Sequence, residues 1–373
     1  MRCFREELDI KCILSAWEQI DNDEKMFFYN PHSERKILAW SRNNNNTKDG
    51  MPYFSTIRFN ENKNSCKWDK FISQEIRFCN AIITDNTGTV LYGDSYIPRM
   101  VGNTFEVIKH RYKIEGSNYS TWTEMFRNIK RSIDAGNVRK VVASREILVR
   151  SEQIFSITSI LSNLLEANKK SFVFAYQNNG RVFLGATPEI LVMKEGKRIT
   201  SYAVAGTMKK CQEDKGNRLL EDPKNNEEHK IVVDYIADIM RKNGKNIQVG
   251  NTELLALKNL YHLKTEINVE NTTLNLVDWA KLLHPTPAMC GFPKGEAMNL
   301  INKFEKHDRG LFAAPIGIIE KNGDGIFVVG IRSALIDRNK LYAYAGCGIV
   351  KQSDCREEYE ETNTKLRTIL EAL

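Results

Sequence analysis

The 373-residue chain is 42% hydrophobic and 27% charged, with a formal net charge of +7. That composition is ample for a large core. The basic residues are spread rather than banded, which argues against nucleic-acid binding, where a clustered patch with interleaved aromatics is needed. A small anionic ligand suits the balance equally well. The longest apolar run, residues 311–319, is broken by Pro315 and is too short to span a bilayer. Met1-Arg-Cys-Phe-Arg-Glu lacks the apolar core of a signal peptide. Eight scattered cysteines form no CxxC pair, and no histidine cluster completes a zinc site. A cytoplasmic protein with reduced thiols is expected.

Residues 1–115 show no catalytic constellation and read as scaffold, one sheet with flanking helices. Residues 13–20 look helical. Ala81-Ile-Ile-Thr and Thr89-Val-Leu-Tyr, punctuated by Asn86-Thr-Gly88, predict an antiparallel hairpin. The asparagine run at 43–46 with Thr47-Lys48-Asp49-Gly50 predicts a surface loop. No linker, composition shift or repeat divides the chain. One domain over 1–373 is expected, with 1–115 as a variable part and 116–373 as the core that carries the chemistry.

A helix is predicted over 122–135, with Met125, Ile129 and Ile133 on one face and Gly136 at its C-cap. Val138-Arg-Lys140-Val-Val-Ala-Ser144-Arg then reads as a strand. Alternation puts Lys140 on a face with Val138, Val142 and Ser144. Lys140 is either a lysine snorkelling past a strand edge or a desolvated amine able to act as a general base. An amphipathic helix follows over 153–170. Phe172-Val-Phe-Ala-Tyr and Val182-Phe-Leu-Gly185 pair through the Asn178-Asn-Gly180-Arg turn. They deliver Glu189, just after Pro188, to a place where a side chain can enter a cleft and donate a proton near neutral pH. Capping the following turn is its other reading.

The strand over 199–204 ends in Ala205-Gly206-Thr207, a small-residue turn that a ligand can approach. A polar loop covers 208–215. Asp222-Pro-Lys-Asn-Asn-Glu-Glu228-His then opens a helix, with Asp222 at the N-cap and Pro223 at N1. Glu228 borders its apolar face. A strand over 261–267 and a helix over 276–283 lead to His284-Pro-Thr-Pro-Ala-Met-Cys-Gly291, a proline-stiffened loop with one histidine. That histidine is either packed in place or part of the site. After a helix over 295–306, adjacent strands are predicted over 309–317 and 326–334, with Arg332 interrupting an apolar run. A buried guanidinium there needs an anion, and a ligand carboxylate suits it. The final strand enters a Gly-x-Gly turn at Gly346 and Gly348. Ser353 and Asp354 cap the last helix, where Glu358, Glu361 and Lys365 share one face. Such charges serve solubility on many helices. Paired with Glu228 on a second helix, they would also hold a hard divalent cation.

Taken together, Lys140-Val-Val-Ala-Ser-Arg, Gly185-Ala-Thr-Pro-Glu189, Ala205-Gly-Thr207, Lys224-x-x-x-Glu228-His229, Leu283-His-Pro-Thr-Pro-Ala-x-x-Gly291, Ile331-Arg332-Ser-Ala, Ala345-Gly-x-Gly-Ile-Val350 and Glu361-Thr-x-x-Lys365 resemble one family. It is the chorismate-utilising enzymes, which include isochorismate, salicylate, anthranilate and aminodeoxychorismate synthases. The match runs from about residue 120 to the end, and its order and spacing make it specific.

The resemblance implies an α+β fold of large, mainly antiparallel sheets packed with helices, like anthranilate synthase component I. It implies a monomeric Mg²⁺-dependent enzyme acting on the small molecule chorismate, with no nucleic-acid or membrane partner. Glu228 and Glu361 match the family's metal ligands, with Glu358 as a further or alternative one. Gly206, Thr207, His284, Arg332, Gly346, Gly348 and Lys365 match positions around the substrate. The Lys140/Glu189 pair looks like the isochorismate-synthase arrangement of base and acid. Aminating relatives generally lack the lysine, and the covalent aminodeoxychorismate type carries a lysine where this chain has Ala205. Salicylate synthases keep the pair but commonly have Tyr in place of Phe312. One departure is Asn225, where some relatives carry a further glutamate.

Overall fold

Strand Phe172–Asn178 shows how the layers are built. Phe172, Phe174 and Tyr176 enter one buried cluster, while Val173 and Ala175 enter another on the opposite face, as a two-residue repeat requires. The computed structural model describes the chain apart from residues 1, 5–7, 22–23, 42–49, 64, 94–104, 117, 211–215, 258–259 and 272. Of the loops expected at 43–50 and 208–215, residues 43–49 and 211–215 lie outside the described residues, and residues 208–209 belong to strand Arg198–Lys209 instead.

Among the described residues, the strands form two antiparallel sheets of twelve and eight. The larger runs Arg2–Phe4, Gly88–Tyr92, Asn80–Asp85, Arg35–Ser41, Glu24–Asn30, Phe172–Asn178, Arg181–Thr187, Ser333–Asp337, Lys340–Ile349, Lys140–Ser151, Gly291–Phe292, with Tyr112–Glu115 also pairing on Lys140–Ser151. The smaller runs Gly244–Ala256, Leu260–Asn271, Arg198–Lys209, Ile190–Glu195, Gly325–Val329, Pro315–Ile319, Tyr53–Thr56, Gln74–Ile76. Helices Ile10–Gln19 and Ile157–Ala167 cover one face of the larger sheet, burying Ile13, Leu14, Ile160 and Leu164. Burying each such side chain stabilises the fold by about 1.5–3 kcal/mol. No helix among the described residues is long and apolar enough to cross a membrane.

Several expectations are met at their caps and turns. Asp222 accepts a hydrogen bond from Asn225 N at 2.7 Å, opening helix Pro223–Asn243 with Pro at its first turn. Asp354 accepts from Arg356 N and Glu357 N, opening Cys355–Leu370. The hairpin at Asn179 and Gly180 has φ of 50° and 74°, the left-handed pair that matches strand twist.

Four expectations are corrected. Residues 1–115 do not make one sheet, because Glu24–Asn30 joins the larger and Tyr53–Thr56 the smaller. Gly346 and Gly348 form no turn. They lie inside strand Lys340–Ile349, paired with Ser144 and Val142. Strand Arg198–Lys209 does not stop at residue 204. It continues past a bulge at Gly206, where the register against Leu260–Asn271 shifts. Arg332 is not in a strand, but stands between Gly325–Val329 and Ser333–Asp337 with φ of 51°.

Candidate active site

The chain passes between the two sheets at two neighbouring places. Pro188-Glu189 joins Arg181–Thr187 of the larger sheet to Ile190–Glu195 of the smaller, and residues 330–332 make the opposite passage. The two passages are tied together, with Ala186 N donating to Arg332 O at 3.1 Å and Val329 N to Glu189 O at 3.0 Å. Beside them opens a cleft of about 770 Å³. It is lined by Lys140, Glu189, Gly206, Thr207, Glu228, Arg332, Gly346, Gly348, Glu361 and Lys365, with Ala288, Met289, Phe312 and Tyr344 among the rest. Ten of the twelve residues expected at the site from sequence therefore meet in one place.

Lys140 begins strand Lys140–Ser151 and is 1% exposed. Its Nζ lies 2.9 Å from Glu228 Oε1. Gly348, across the ladder, makes this pair possible. A Cβ there would run into Glu228 Oε1 and come within 2.9 Å of Lys140 Cε.

Two strands, Ser333–Asp337 and Lys340–Ile349, separate the Lys140 strand from the one that leads to Glu189. At about 4.8 Å per strand, the two backbones stand roughly 14 Å apart, leaving room for a ring between their side chains. Glu189 is 7% exposed, and burial pushes its carboxyl up to about 8 against the pull of Lys365, Lys140 and Arg332. It is therefore a neutral acid at pH 7. Burial lowers the Arg332 guanidinium to about 10, while Glu361 and Glu189 favour its charge.

The bulge at Gly206 is held from the neighbouring helix. Thr207 N donates to Asn225 Oδ1 at 2.9 Å, and Thr207 Oγ1 meets His262 Nδ1 at 3.1 Å. Gly206 has φ of 75°, and a Cβ there would stand 3.1 Å from Asn225 Cβ. Asn225 thus fastens the turn.

Each of the three carboxylates proposed from sequence as metal ligands is matched with a lysine. Besides the Lys140–Glu228 pair, Lys365 Nζ lies 2.6 Å from Glu361 Oε1, and Lys224 Nζ lies 3.0 Å from Glu358 Oε1. Lys365 also donates to Gly346 O at 2.9 Å. Glu358 is 3% exposed, and burial and then the nearby Glu361 raise its carboxyl. Among the described residues, no three His, Cys, Asp or Glu side chains form a ready metal cluster. The donor set nevertheless fits a hard divalent cation. Burial works against the charge on Lys224, yet Glu358, Glu228 and Glu361 together hold its pKa above the ordinary value. One ammonium thus already feels all three carboxylates, and Mg²⁺ needs one or two of them plus substrate oxygens.

His284 does not line the cleft. Its Nε2 meets Arg58 O at 3.2 Å, its ring packs edge-on to Phe59, and burial pushes it down to about 3. The packed-histidine reading holds, while its loop supplies Ala288 and Met289 to the lining.

Sequence reasoning missed two features. His262 is buried against Thr207, and desolvation, followed by Arg332 and Lys365, keeps it neutral. Period-2 alternation in its strand could have put it beside the bulge. The second is a buried clamp. Arg309 binds Glu305 through Nε at 2.9 Å, Met289 O at 2.8 Å and Val142 O at 2.7 Å, and Glu305 Oε1 accepts from Ser144 N at 2.7 Å. It ties the Lys140 strand to the cleft loop, and nothing in local sequence connects Glu305 and Arg309 to Met289, Val142 and Ser144.

The family model described as chorismate binding enzyme matches residues 100–373. Isochorismate synthase MenF of Bacillus subtilis is 35% identical over 259 residues, 68% of this chain and 55% of that protein. Isochorismate synthase EntC of Escherichia coli K12 is 35% identical over 241 residues, 62% of each chain. The matched stretch thus spans little more than half of these relatives' length. Among solved structures, DhbC from Bacillus anthracis superposes with a TM-score of 0.81 at 25% identity, covering 98% of this chain and 99% of that one. MenF, the menaquinone-specific isochorismate synthase from Escherichia coli, gives 0.83 at 20% identity, covering 99% and 93%. With the family match spanning the cleft and every residue that lines it, the chain belongs to the chorismate-binding enzymes.

Proposed function

We propose that this protein is an isochorismate synthase, an isomerase that interconverts chorismate and isochorismate. The observation that carries the reading is Lys140 and Glu189 facing one cleft from backbones with two strands between them, with Glu189 held protonated. Lys140 accepts a proton from water as the water oxygen bonds to ring carbon 2. Both ring double bonds shift, carrying the electron pair to carbon 4, and the 4-hydroxyl departs as water on receiving the proton from Glu189. Each such proton transfer contributes about 10²–10⁴ in rate. One water enters and one leaves, so the net change is an isomerisation.

Arg332 and Lys365 hold the substrate's carboxylates, with the Gly206-Thr207 bulge and the backbone at Gly346 and Gly348 lining the cleft beside the ring. Glu228 and Glu361, with Glu358 behind them, would hold Mg²⁺. When bound, the ion supplies a Lewis-acidic anchor for a ring carboxylate. The relatives named isochorismate synthases support this reading.

Purified protein given chorismate and Mg²⁺ is expected to yield isochorismate and no pyruvate, read by mass spectrometry. Pyruvate release would assign a salicylate synthase instead. Binding of chorismate without turnover would reduce the chain to a binding protein.

A further inference from the structure

A second cleft, of about 1180 Å³, adjoins the catalytic one. Pro188 and Arg332 line both and form a shared wall. Helix Cys355–Leu370 is part of the same partition. Its Glu361 and Lys365 face the catalytic cleft, while Thr364 and Thr368, one turn apart, face the second.

The second compartment combines positive charge with hydrocarbon. Lys169 and Lys170 reach it from the loop after helix Ile157–Ala167, and Lys210 from the end of strand Arg198–Lys209. Leu257 and Leu260 add apolar surface, and Glu371 is the one carboxylate among the described lining residues. Lys140, Glu189 and Arg332 are 1%, 7% and 9% exposed, so the groups that act on the substrate lie deep, and of the three Arg332 is the one that both clefts reach. A cleft lined by one sign of charge focuses its field and raises the local concentration of an oppositely charged ligand.

We propose that this basic compartment is the port through which the anionic substrate approaches the catalytic cleft. Its lysines draw a dicarboxylate from solution, its leucines accept the carbocycle, and Arg332 receives a carboxylate at the shared wall. The proposal rests on the chorismate reading given above.

The test is charge reversal in the full chain, with Lys169→Glu, Lys170→Glu and Lys210→Glu combined. Lys169 and Lys170 are exposed and Lys210 half-buried, so the fold should be retained, as Tm would verify. At low ionic strength kcat/KM for chorismate is expected to fall about tenfold with kcat within about twofold of wild type. Screening at high salt should shrink the deficit. If the triple variant does not fold, Lys169→Glu with Lys170→Glu alone is expected to lose about threefold by the same mechanism. Reversing Lys242 and Lys245, exposed at the far end of helix Pro223–Asn243, should leave kcat/KM unchanged. A wild-type kcat/KM and salt slope in the port variants, or an equal loss in the control, overturns the port alone. A wild-type protein that does not convert chorismate overturns the functional reading and the port with it.

Discussion

At Glu189, burial holds the carboxyl as the neutral acid up to about 8, so the fraction able to donate a proton falls as pH rises through that value. The alkaline limb of the kcat/KM profile should therefore bend near pH 8, and Glu189→Gln should lower kcat about 10²–10⁴-fold. The same shift enters stability. The unfolded chain releases this proton near about 4.3, whereas the folded one keeps it to about 8. The stabilisation is complete below the lower value and is lost as pH rises through the upper one. Glu189→Gln should flatten that part of a Tm-against-pH curve, and an unchanged slope would show that another group carries it. Gly348 makes a second residue-scale test. Gly348→Ala pushes on the ends of two flexible side chains, Glu228 and Lys140, rather than on backbone. Its Tm should stay close to wild type while kcat falls about 10²-fold, the usual effect of a misplacement of about 1 Å. Near-wild-type kcat would mean that the Lys140–Glu228 geometry is unimportant.

Among the elements, the Glu305–Arg309 clamp joins the Lys140 strand to the loop that carries Met289. Glu305→Ala leaves a buried guanidinium and the Ser144 N–H without their acceptor, at a cost of about 3–5 kcal/mol in urea unfolding. A loss below about 1 kcal/mol would show that water replaces the carboxylate, as at exposed pairs. The elements also show what was legible in advance. Helix faces, the Asp222 and Asp354 caps and the Asn179-Gly180 turn were readable, because each depends on residues a few positions apart. Lys140 sharing a face with Val142 followed from alternation. The turn expected at Gly346 and Gly348 was wrong for a long-range reason, since the partner strand lies two hundred residues earlier and turns a flexible dipeptide into ladder. Arg332 was expected inside a strand, because the passage between sheets that sets its φ leaves no local signature. His284 and Asn225 could be weighed only once Arg58 and Thr207 were in place beside them.

Over the whole molecule, the N-terminal third is structural support for the cleft. Glu24–Asn30 covers the edge of Phe172–Asn178, and Tyr53–Thr56 covers Pro315–Ile319. Arg58 reaches Asp308 at 2.9 Å in a buried pair beside Arg309. A fragment of residues 105–373, although nearly the whole family match, would expose both strand edges and much of the aromatic core. It is expected to aggregate or to show no cooperative unfolding by circular dichroism. A soluble fragment with a sharp transition would contradict that dependence. The proposed reaction exchanges one hydroxyl for another between an amine and an acid. Its most direct test is turnover of chorismate and Mg²⁺ in ¹⁸O-labelled water. Isochorismate with one heavy oxygen at carbon 2 is expected, with the light 4-hydroxyl released to solvent and no labelled product from Lys140→Ala. Isochorismate that retains the original oxygen, or labelled product from Lys140→Ala at the wild-type rate, would contradict it.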